Sequence, residues 1–308
     1  MAVAVRRGRP YAPLRVRMRP VLIPLAERLG RRALRKRGVA IRWLDTPLGP
    51  LHAYDATGSG TLPTTVLLHG MGSNATPFAP VLARLRRHVR RVVAPDYPGH
   101  GFSPRARGKL SIDALFDAMT RALDDVLDEP AIVVGNSLGG AVALHYALER
   151  PARVRGLVLL SPAGARSTEE EWRDIKAAFD LDSRADALRF MRRVYHRTPW
   201  LARVVAHEVP ASVARPAVRE LLETVRLDQA VAPEALAALP MPVLLVWGRS
   251  ERLLPDSHLE FYARHLPERA RVERPLGLGH CPHVDAPELV ASRIVEFART
   301  LEPQARTA

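Results

Sequence analysis

Residues 131–140 of the chain read Ala-Ile-Val-Val-Gly-Asn-Ser-Leu-Gly-Gly. The four apolar residues at the start predict a short buried strand, and residues 138–149 have the pattern of a helix. Gly135 and Gly139 lie two positions either side of Ser137, where a larger side chain would collide across a sharp strand-to-helix turn. The pattern therefore predicts a serine nucleophile at a tight turn, with the free N–H groups of a helix beginning directly behind it.

Strand-like and helix-like segments alternate on both sides of this turn. The predicted strands are residues 39–44, 51–54, 65–68, 91–94, 131–134, 156–160, 242–246 and 270–274, and the first two read as a hairpin. The predicted helices outside the insertion described next are residues 78–88, 111–127, 138–149, 257–266 and 287–301. Such alternation predicts an α/β fold with a mostly parallel central sheet flanked by helices.

The strand pattern disappears between residues 165 and 238, where the sequence is helical in pattern and broken by prolines. We interpret this stretch as a helical cap inserted in a core made of residues 39–164 and 239–308, with a basic N-terminal arm over residues 1–38. The cap is expected to roof a pocket with its apolar side chains, namely Phe179, Leu188, Phe190, Met191, Trp200 and Leu201.

The net charge of +14 belongs almost entirely to the N-terminal arm. Residues 1–42 contain 13 Lys and Arg against one acid, Glu27, whereas the rest contains 33 bases and 31 acids. The body is thus nearly neutral, which disfavours a nucleic-acid partner. Residues 20–37 read as a basic amphipathic helix. We prefer an arm packed on the domain over peripheral membrane contact through residues 1–37, because the helix has no aromatic anchors.

Composition indicates neither a disulfide nor a cofactor. Cys281 is the single cysteine, and no apolar run reaches 18 residues. We therefore expect a cytoplasmic protein, with attachment to the inner membrane surface as the alternative. No Walker loop, dinucleotide fingerprint or His-Glu-x-x-His zinc motif is present, so no cofactor and no metal are expected. The oligomeric state stays open.

Together with other segments in the same order, the serine turn resembles the α/β-hydrolase superfamily, in particular capped esterases and lipases with a serine nucleophile. Residues 69–72, His-Gly-Met-Gly, are similar to its oxyanion loop. The resemblance implies that the backbone N–H groups of Met71 and Leu138 hold the negative oxygen of the intermediate. Gly70 and Asn136, beside these donors, are the predicted substrate contacts. Residues 96–103 resemble a structural turn of the family, so His100 is not expected to be catalytic.

Two later loops resemble those that supply the remaining catalytic groups. Residues 277–283, Gly-Leu-Gly-His-Cys-Pro-His, resemble the loop that carries the family's histidine, which selects His280 over His283. Residues 247–255 resemble the pattern Trp-Gly-x-x-Asp-x-x-x-Pro, with Glu251 where aspartate is usual. Glu251 is the expected acid and Asp256 its alternative. A serine hydroxyl is a poor nucleophile until a neighbouring imidazole takes its proton, and this is the role expected of His280.

These residues predict a serine hydrolase that cleaves carboxylic ester or thioester bonds of small apolar acyl or aryl substrates through an acyl-enzyme. One alternative is carbon–carbon bond hydrolysis of meta-cleavage-type diketones, whose enzymes have a similar serine loop. Arg189, Arg192 and Arg193 could bind the carboxylate of such a substrate. Cys281 disfavours this alternative, since an aromatic residue usually follows the histidine there, and a Gly-Pro-Gly loop is lacking. A membrane-surface lipid hydrolase is the other alternative.

Overall fold

A computed structural model describes residues 20–213 and 215–302 of the chain. The first 19 residues, which belong to the predicted basic arm, lie outside the described residues. Among the described residues, no helix is both long and apolar enough to span a membrane.

Eight strands form one sheet. In chain order they are β1 (Ala40–Leu44), β2 (Leu51–Thr57), β3 (Thr65–Leu68), β4 (Arg91–Pro95), β5 (Ala131–Asn136), β6 (Val154–Leu160), β7 (Val243–Val246) and β8 (Arg271–Glu273). The order across the sheet is β1-β2-β4-β3-β5-β6-β7-β8. β2 pairs antiparallel with both β1 and β4, and every other pair is parallel. The predicted α/β class with a mostly parallel sheet is confirmed.

Helices cover both faces of this sheet and fill the connection between β6 and β7. They are α1 (Leu22–Lys36), α2 (Ala79–Leu85), α3 (Ile112–Val126), α4 (Leu138–Glu149), α5 (Glu169–Ala178), α6 (Arg184–Val194), α7 (Trp200–Val204), α8 (Val209–Val213), α9 (Pro216–Thr224), α10 (Pro233–Ala237), α11 (Asp256–His265), α12 (Pro282–Asp285) and α13 (Pro287–Thr300). α3, α4 and α11 share one apolar core with the sheet, and α2 and α13 share the other. Because the sheet is covered on both faces, its central strands are buried along their whole length and are mostly apolar.

Side-chain caps set where several helices begin. The Ser111 hydroxyl accepts from the Ala114 N–H at 3.2 Å, so α3 begins where its sequence pattern predicted. At the start of α5, Thr168 and Glu171 each accept from the other's backbone N–H, a capping box. The helices α5 to α10 all lie within residues 165–238, between β6 and β7.

The basic helix α1 is docked on this helical region rather than extended from the domain. Both carboxylate oxygens of Glu208 accept backbone N–H groups at the start of α1, from Leu22 at 2.9 Å and from Ile23 at 2.8 Å. A buried carboxylate at a helix N-terminus satisfies donors that have no intrahelical acceptor and complements the helix dipole. At the other end of α1, Leu34 is buried in the core that contains α2. The helix is thereby fixed at both ends.

Candidate active site

Ser137 stands at the strained turn between β5 and α4. Its backbone has φ 55° and ψ −119°, a conformation that a residue with a Cβ rarely adopts and that costs about 1–3 kcal/mol. A Cβ on Gly135 would lie 2.0 Å from the Gly139 carbonyl oxygen, and one on Gly139 would lie 2.2 Å from the Leu68 carbonyl oxygen. Both glycines are therefore required by the close approach of backbone, which supports the sequence argument for this turn.

His280 and Glu251 form a buried hydrogen-bonded pair. The His280 Nδ1–H donates to Glu251 Oε2 at 2.9 Å, and both side chains are almost fully buried. The other carboxylate oxygen accepts from the backbone N–H groups of Leu253 at 2.8 Å and Leu254 at 3.0 Å. Burial alone would raise the pKa of Glu251, but the attraction and hydrogen bond of His280 outweigh it, so the pKa lies below its usual value. The ionised carboxylate thus holds the imidazole with Nε2 free to accept a proton.

The loop that carries His280 is attached to the serine turn itself. The Asn136 side-chain amide donates to the His280 carbonyl oxygen at 2.7 Å and to the Leu160 carbonyl oxygen at 2.9 Å. Since both N–H groups of this amide bind protein carbonyls, Asn136 positions the histidine loop. Asn136 also lines the cavity that contains Ser137, and its role in binding substrate stays a prediction. Ser137 and His280 line the same cavity.

The two predicted oxyanion donors lie beside Ser137. Leu138 is the first residue of α4, so its N–H has no acceptor within the helix. Met71 follows Gly70, where an added Cβ would lie 3.3 Å from Ser137 Cβ, so the loop passes directly next to the serine. Met71 and Gly70 both line the cavity that contains Ser137.

His100 supports the oxyanion loop from behind. Its Nδ1–H donates to the Pro98 carbonyl oxygen at 3.0 Å, and its Nε2 accepts from the Gly72 N–H at 3.3 Å. Burial lowers the pKa of His100 to about 3, so the ring is neutral and can accept at Nε2. This arrangement agrees with a structural role.

Neither alternative residue reaches the Ser137 cavity in a catalytic arrangement. Asp256 begins α11 with a side chain that is 78% exposed and lies 3.7 Å from Arg274. His283 is buried and stacks on Phe78, with ring centroids 4.0 Å apart. Burial lowers the pKa of His283 to about 3, which leaves it neutral. The geometry therefore favours Glu251 and His280 over these two.

Two cavities meet at the serine. The larger, about 410 Å³, is lined by His280, and the smaller, about 140 Å³, by Leu138. Four residues line both cavities: Met71, Ser137, Phe179 and Leu253. A substrate whose reacting carbon lies at Ser137 can therefore extend one group into each cavity.

The lining of the smaller cavity is mostly apolar, with Arg226 and Gln229 on one side and one buried polar pair. Arg226 is exposed and paired with Asp228. The apolar wall of the cavity includes Phe116, Trp172, Ile175, Leu222, Val225 and Leu254. The polar pair is Ser167 and His258, whose Oγ and Nε2 atoms lie 2.7 Å apart. Burial lowers the pKa of His258 to about 4, so the pair carries no charge at neutral pH. The cavity thus suits an uncharged apolar group.

Two charged residues of the larger cavity were not anticipated from the sequence. Glu27 of α1 accepts from the Asn74 side-chain amide at 2.8 Å and lies 3.8 Å from Arg215. Burial raises the pKa of Glu27, and Arg215 opposes that effect. The sequence contained one indication that Glu27 differs from its neighbours: it is the single acid among the first 42 residues.

The expected apolar roof is only partly correct. Phe179, Phe190 and Met191 line the larger cavity, but Trp200 and Leu201 are 71% and 60% exposed and face outward. They lie on α7, from which Ala202 lines the cavity, while these two side chains are turned to solvent. Leu188 packs in a small core between helices.

Arg189, Arg192 and Arg193, the arginines expected to bind a substrate carboxylate, do not line either cavity. Arg189 pairs with Asp186 on its own helix, and Arg193 pairs with Asp174 at 2.6 Å and with backbone carbonyls. Arg192 is exposed. Among the described residues, no group of three or more His, Cys, Asp or Glu side chains is arranged to hold a metal ion.

The sheet order and the strained serine at its centre define the architecture of an α/β-hydrolase. A sequence model of the alpha/beta hydrolase family matches residues 65–293. The chain belongs to this family and is a hydrolase, so the resemblance inferred from the motifs is confirmed.

Relatives and solved structures agree with this assignment. A pimeloyl-[acyl-carrier protein] methyl ester esterase of Xanthomonas campestris is 30% identical over 269 residues, which cover 80% of this chain and 98% of the relative. A carboxylesterase of Bacillus subtilis superposes with a TM-score of 0.72 at 21% identity, covering 90% of this chain and 98% of that one. A bacterial membrane phospholipase A superposes with a TM-score of 0.77 at 23% identity, covering 93% of each chain. The two solved structures show the likeness of fold alone.

Proposed function

We propose that this chain is a carboxylic ester or thioester hydrolase in which Ser137 is the nucleophile, His280 the base and Glu251 the acid that orients it. The observation that carries the proposal is the 2.9 Å bond between His280 Nδ1 and Glu251 Oε2, with His280 and the strained Ser137 in one cavity. The relatives named as esterases support the choice of ester bonds.

Each residue has a defined step in this mechanism. His280 Nε2 takes the Ser137 proton as Oγ attacks the acyl carbon, and Glu251 stabilises the imidazolium that forms. The N–H groups of Met71 and Leu138 hold the negative oxygen. His280 then gives the proton to the leaving alcohol or thiol, and the same steps with water release the acid.

The position of His280 assigns the two parts of the substrate to the two cavities. The leaving group must be protonated by His280, which lines the larger cavity and not the smaller one. The alcohol part therefore lies in the 410 Å³ cavity and the acyl part in the 140 Å³ cavity. Since an apolar cavity of roughly 150 Å³ holds benzene, the acyl group is expected to be short or phenyl-sized, with about four to six carbons.

The smaller cavity should set the acyl-length preference. In Leu222→Ala, the space released in its wall should move the optimum of kcat/KM toward longer chains in a series of p-nitrophenyl esters from acetate to octanoate. Met191→Ala is the matched control, since it removes a similar buried side chain from the larger cavity alone. Each truncation should also lower the free energy of unfolding by about 2–5 kcal/mol. A shifted optimum in Met191→Ala, with none in Leu222→Ala, would reverse the assignment.

The diketone alternative can be tested on the same protein. Arg189, Arg192 and Arg193, which were expected to bind a diketone carboxylate, line neither cavity. The arginines that do line the cavities, Arg215 and Arg226, are paired with Glu27 and Asp228, so the geometry gives this reaction less support. The purified enzyme should hydrolyse short-chain esters and leave a meta-cleavage diketone intact. Cleavage of the diketone with no turnover of any ester would refute the proposed function.

Glu251→Gln tests the acid. The glutamine can present an N–H toward His280 Nδ1 and so favour the wrong tautomer, and we expect kcat to fall by about 10³–10⁴. Asp256→Asn is the control, and its kcat should stay within about twofold of wild type because Asp256 is exposed at the start of α11. Steady-state hydrolysis of p-nitrophenyl butyrate measures both. A larger loss in Asp256→Asn would show that the wrong acid was assigned.

A further inference from the structure

Two helices that wall the larger cavity expose apolar side chains on their outer faces. On α1, Leu22, Leu25 and Leu29 recur at the spacing of one helical face and are 43%, 47% and 53% exposed. On α7, Trp200 is 71% exposed, and Leu201 and Val204 are 60% and 56% exposed. With Val21, these make seven of the eleven large apolar residues that are exposed in the described part of the chain. Such a concentration is typical of an interaction surface.

The two helices border the same cavity. Ile23 and Ala26 line it from α1, Ala202 lines it from α7, and Val205 lines it directly after the end of α7. The start of α1 is also bound to Glu208, four positions beyond the end of α7. None of the exposed apolar residues of these two helices lines the cavity, so they lie on the solvent side of the helices that border it.

A cationic flank accompanies the apolar stripe on α1. Exposed bases occupy the side of the helix next to the leucines: Arg28, Arg32, Arg35 and Lys36. Arg31 is turned inward over the Phe102 ring at 4.5 Å, and the single acid of the helix, Glu27, is turned inward to Asn74. The outer side of α1 therefore presents apolar and positive groups together.

We propose that this surface, the α1–α7 surface, docks on an anionic lipid bilayer. It consists of Val21, Leu22, Leu25, Leu29, Trp200, Leu201 and Val204 with the bases Arg28, Arg32, Arg35 and Lys36. Leucines insert at the acyl boundary, tryptophan lies at the headgroup level and arginines pair with lipid phosphates. The aromatic anchor that α1 lacks in sequence is supplied by α7. A second copy fits less well, because two such cationic flanks would repel each other.

Docking in this way would place the larger cavity, which receives the leaving group of the substrate, at the membrane. This consequence rests on the proposed function, but the docking does not, because binding to vesicles is measured without turnover. Failure of one proposal is thereby distinguishable from failure of the other.

The test is co-sedimentation of the full chain with vesicles of phosphatidylcholine alone or mixed with phosphatidylglycerol. We expect binding to the mixed vesicles, accompanied by a blue shift of tryptophan emission that is lost in Trp200→Phe. The double variant Leu25→Asp/Leu29→Asp should lower the partition constant at least about tenfold, because it puts charge in the apolar stripe. Arg28→Gln/Arg32→Gln should lower it roughly tenfold to thirtyfold, and only on the anionic vesicles.

The matched control is Leu148→Asp, an exposed leucine near the end of α4 that is remote from Ser137 along the helix. Its partition constant should equal that of wild type, and the thermal midpoints of all variants should stay close together because the positions are exposed. Equal binding by wild type and Leu25→Asp/Leu29→Asp would overturn the proposal, since attraction by the basic N-terminal segment alone would then suffice. A dimer that this double variant dissociates, with no vesicle binding, would also overturn it.

Discussion

Ser137→Ala should lower kcat for short p-nitrophenyl esters by about 10⁶ while the protein stays folded. The substitution removes the one oxygen that the mechanism places at the junction of the two cavities, and removal of a serine nucleophile in another hydrolase has an effect of this size. The oxyanion donors remain, since they are backbone N–H groups, so weak residual catalysis above the uncatalysed rate is expected. Steady-state hydrolysis of p-nitrophenyl butyrate measures the effect.

A stability measurement separates the role of the hydroxyl from that of the strained backbone. Ser137→Ala keeps a Cβ at φ 55°, whereas Ser137→Gly removes it and should raise the free energy of unfolding by about 1 kcal/mol relative to Ser137→Ala. Both variants should be equally inactive and should fail to react with a fluorophosphonate probe that labels wild type once. Turnover by Ser137→Ala near the wild-type rate would remove Ser137 as the nucleophile.

Local signals allowed much of this fold to be predicted. The turn from β5 to α4 depends on residues within a few positions of one another, and α4 has the bounds that its sequence pattern predicted. The predicted strand β2 ends at Tyr54, because Asp55 interrupts the apolar pattern. In the structure β2 continues for three more residues, to Thr57. The Asp55 carboxylate is paired with Arg91 on β4 at 2.7 Å, a contact 36 positions away that the sequence does not display.

Some residues of the site could likewise be predicted from nearby sequence, whereas the positions of others depend on contacts with distant parts of the chain. The pattern around the turn predicted Ser137, and the resemblance of two later loops to those of the family predicted Glu251 and His280. The inward position of Glu27 could not be derived in this way, because its partner Asn74 is 47 positions along the chain. The five-residue helix α7 is too short for its apolar pattern to reveal which side faces the cavity, so the outward turn of Trp200 required the structure.

His280→Ala should reduce kcat nearly as much as Ser137→Ala, by about 10⁵–10⁶, because no other base lies beside Ser137 in this mechanism. The loop should keep its position, since Asn136 binds the backbone carbonyl of residue 280 rather than its ring. The same substitution leaves the buried Glu251 carboxylate without its hydrogen-bond donor from residue 280, although its bonds to Leu253 and Leu254 remain. We therefore expect the free energy of unfolding at neutral pH to fall by about 3 kcal/mol.

The pH dependence of that destabilisation has a definite sign. Without His280, burial is expected to raise the pKa of Glu251 in the folded state above its value in the unfolded state. The loss in unfolding free energy is therefore full above this raised pKa and becomes smaller as the pH falls through it. The gap in unfolding free energy between wild type and His280→Ala should accordingly narrow in acid.

His280→Asn provides the matched control, because the amide nitrogen of asparagine can replace Nδ1 as a donor to Glu251 but cannot accept the serine proton. This variant should be as inactive as His280→Ala yet close to wild type in stability, measured by urea unfolding between neutral and mildly acidic pH. If His280→Asn retained esterase activity, proton transfer would have to be assigned to another group. If it were as unstable as His280→Ala, the bond to Glu251 would not be what stabilises the loop.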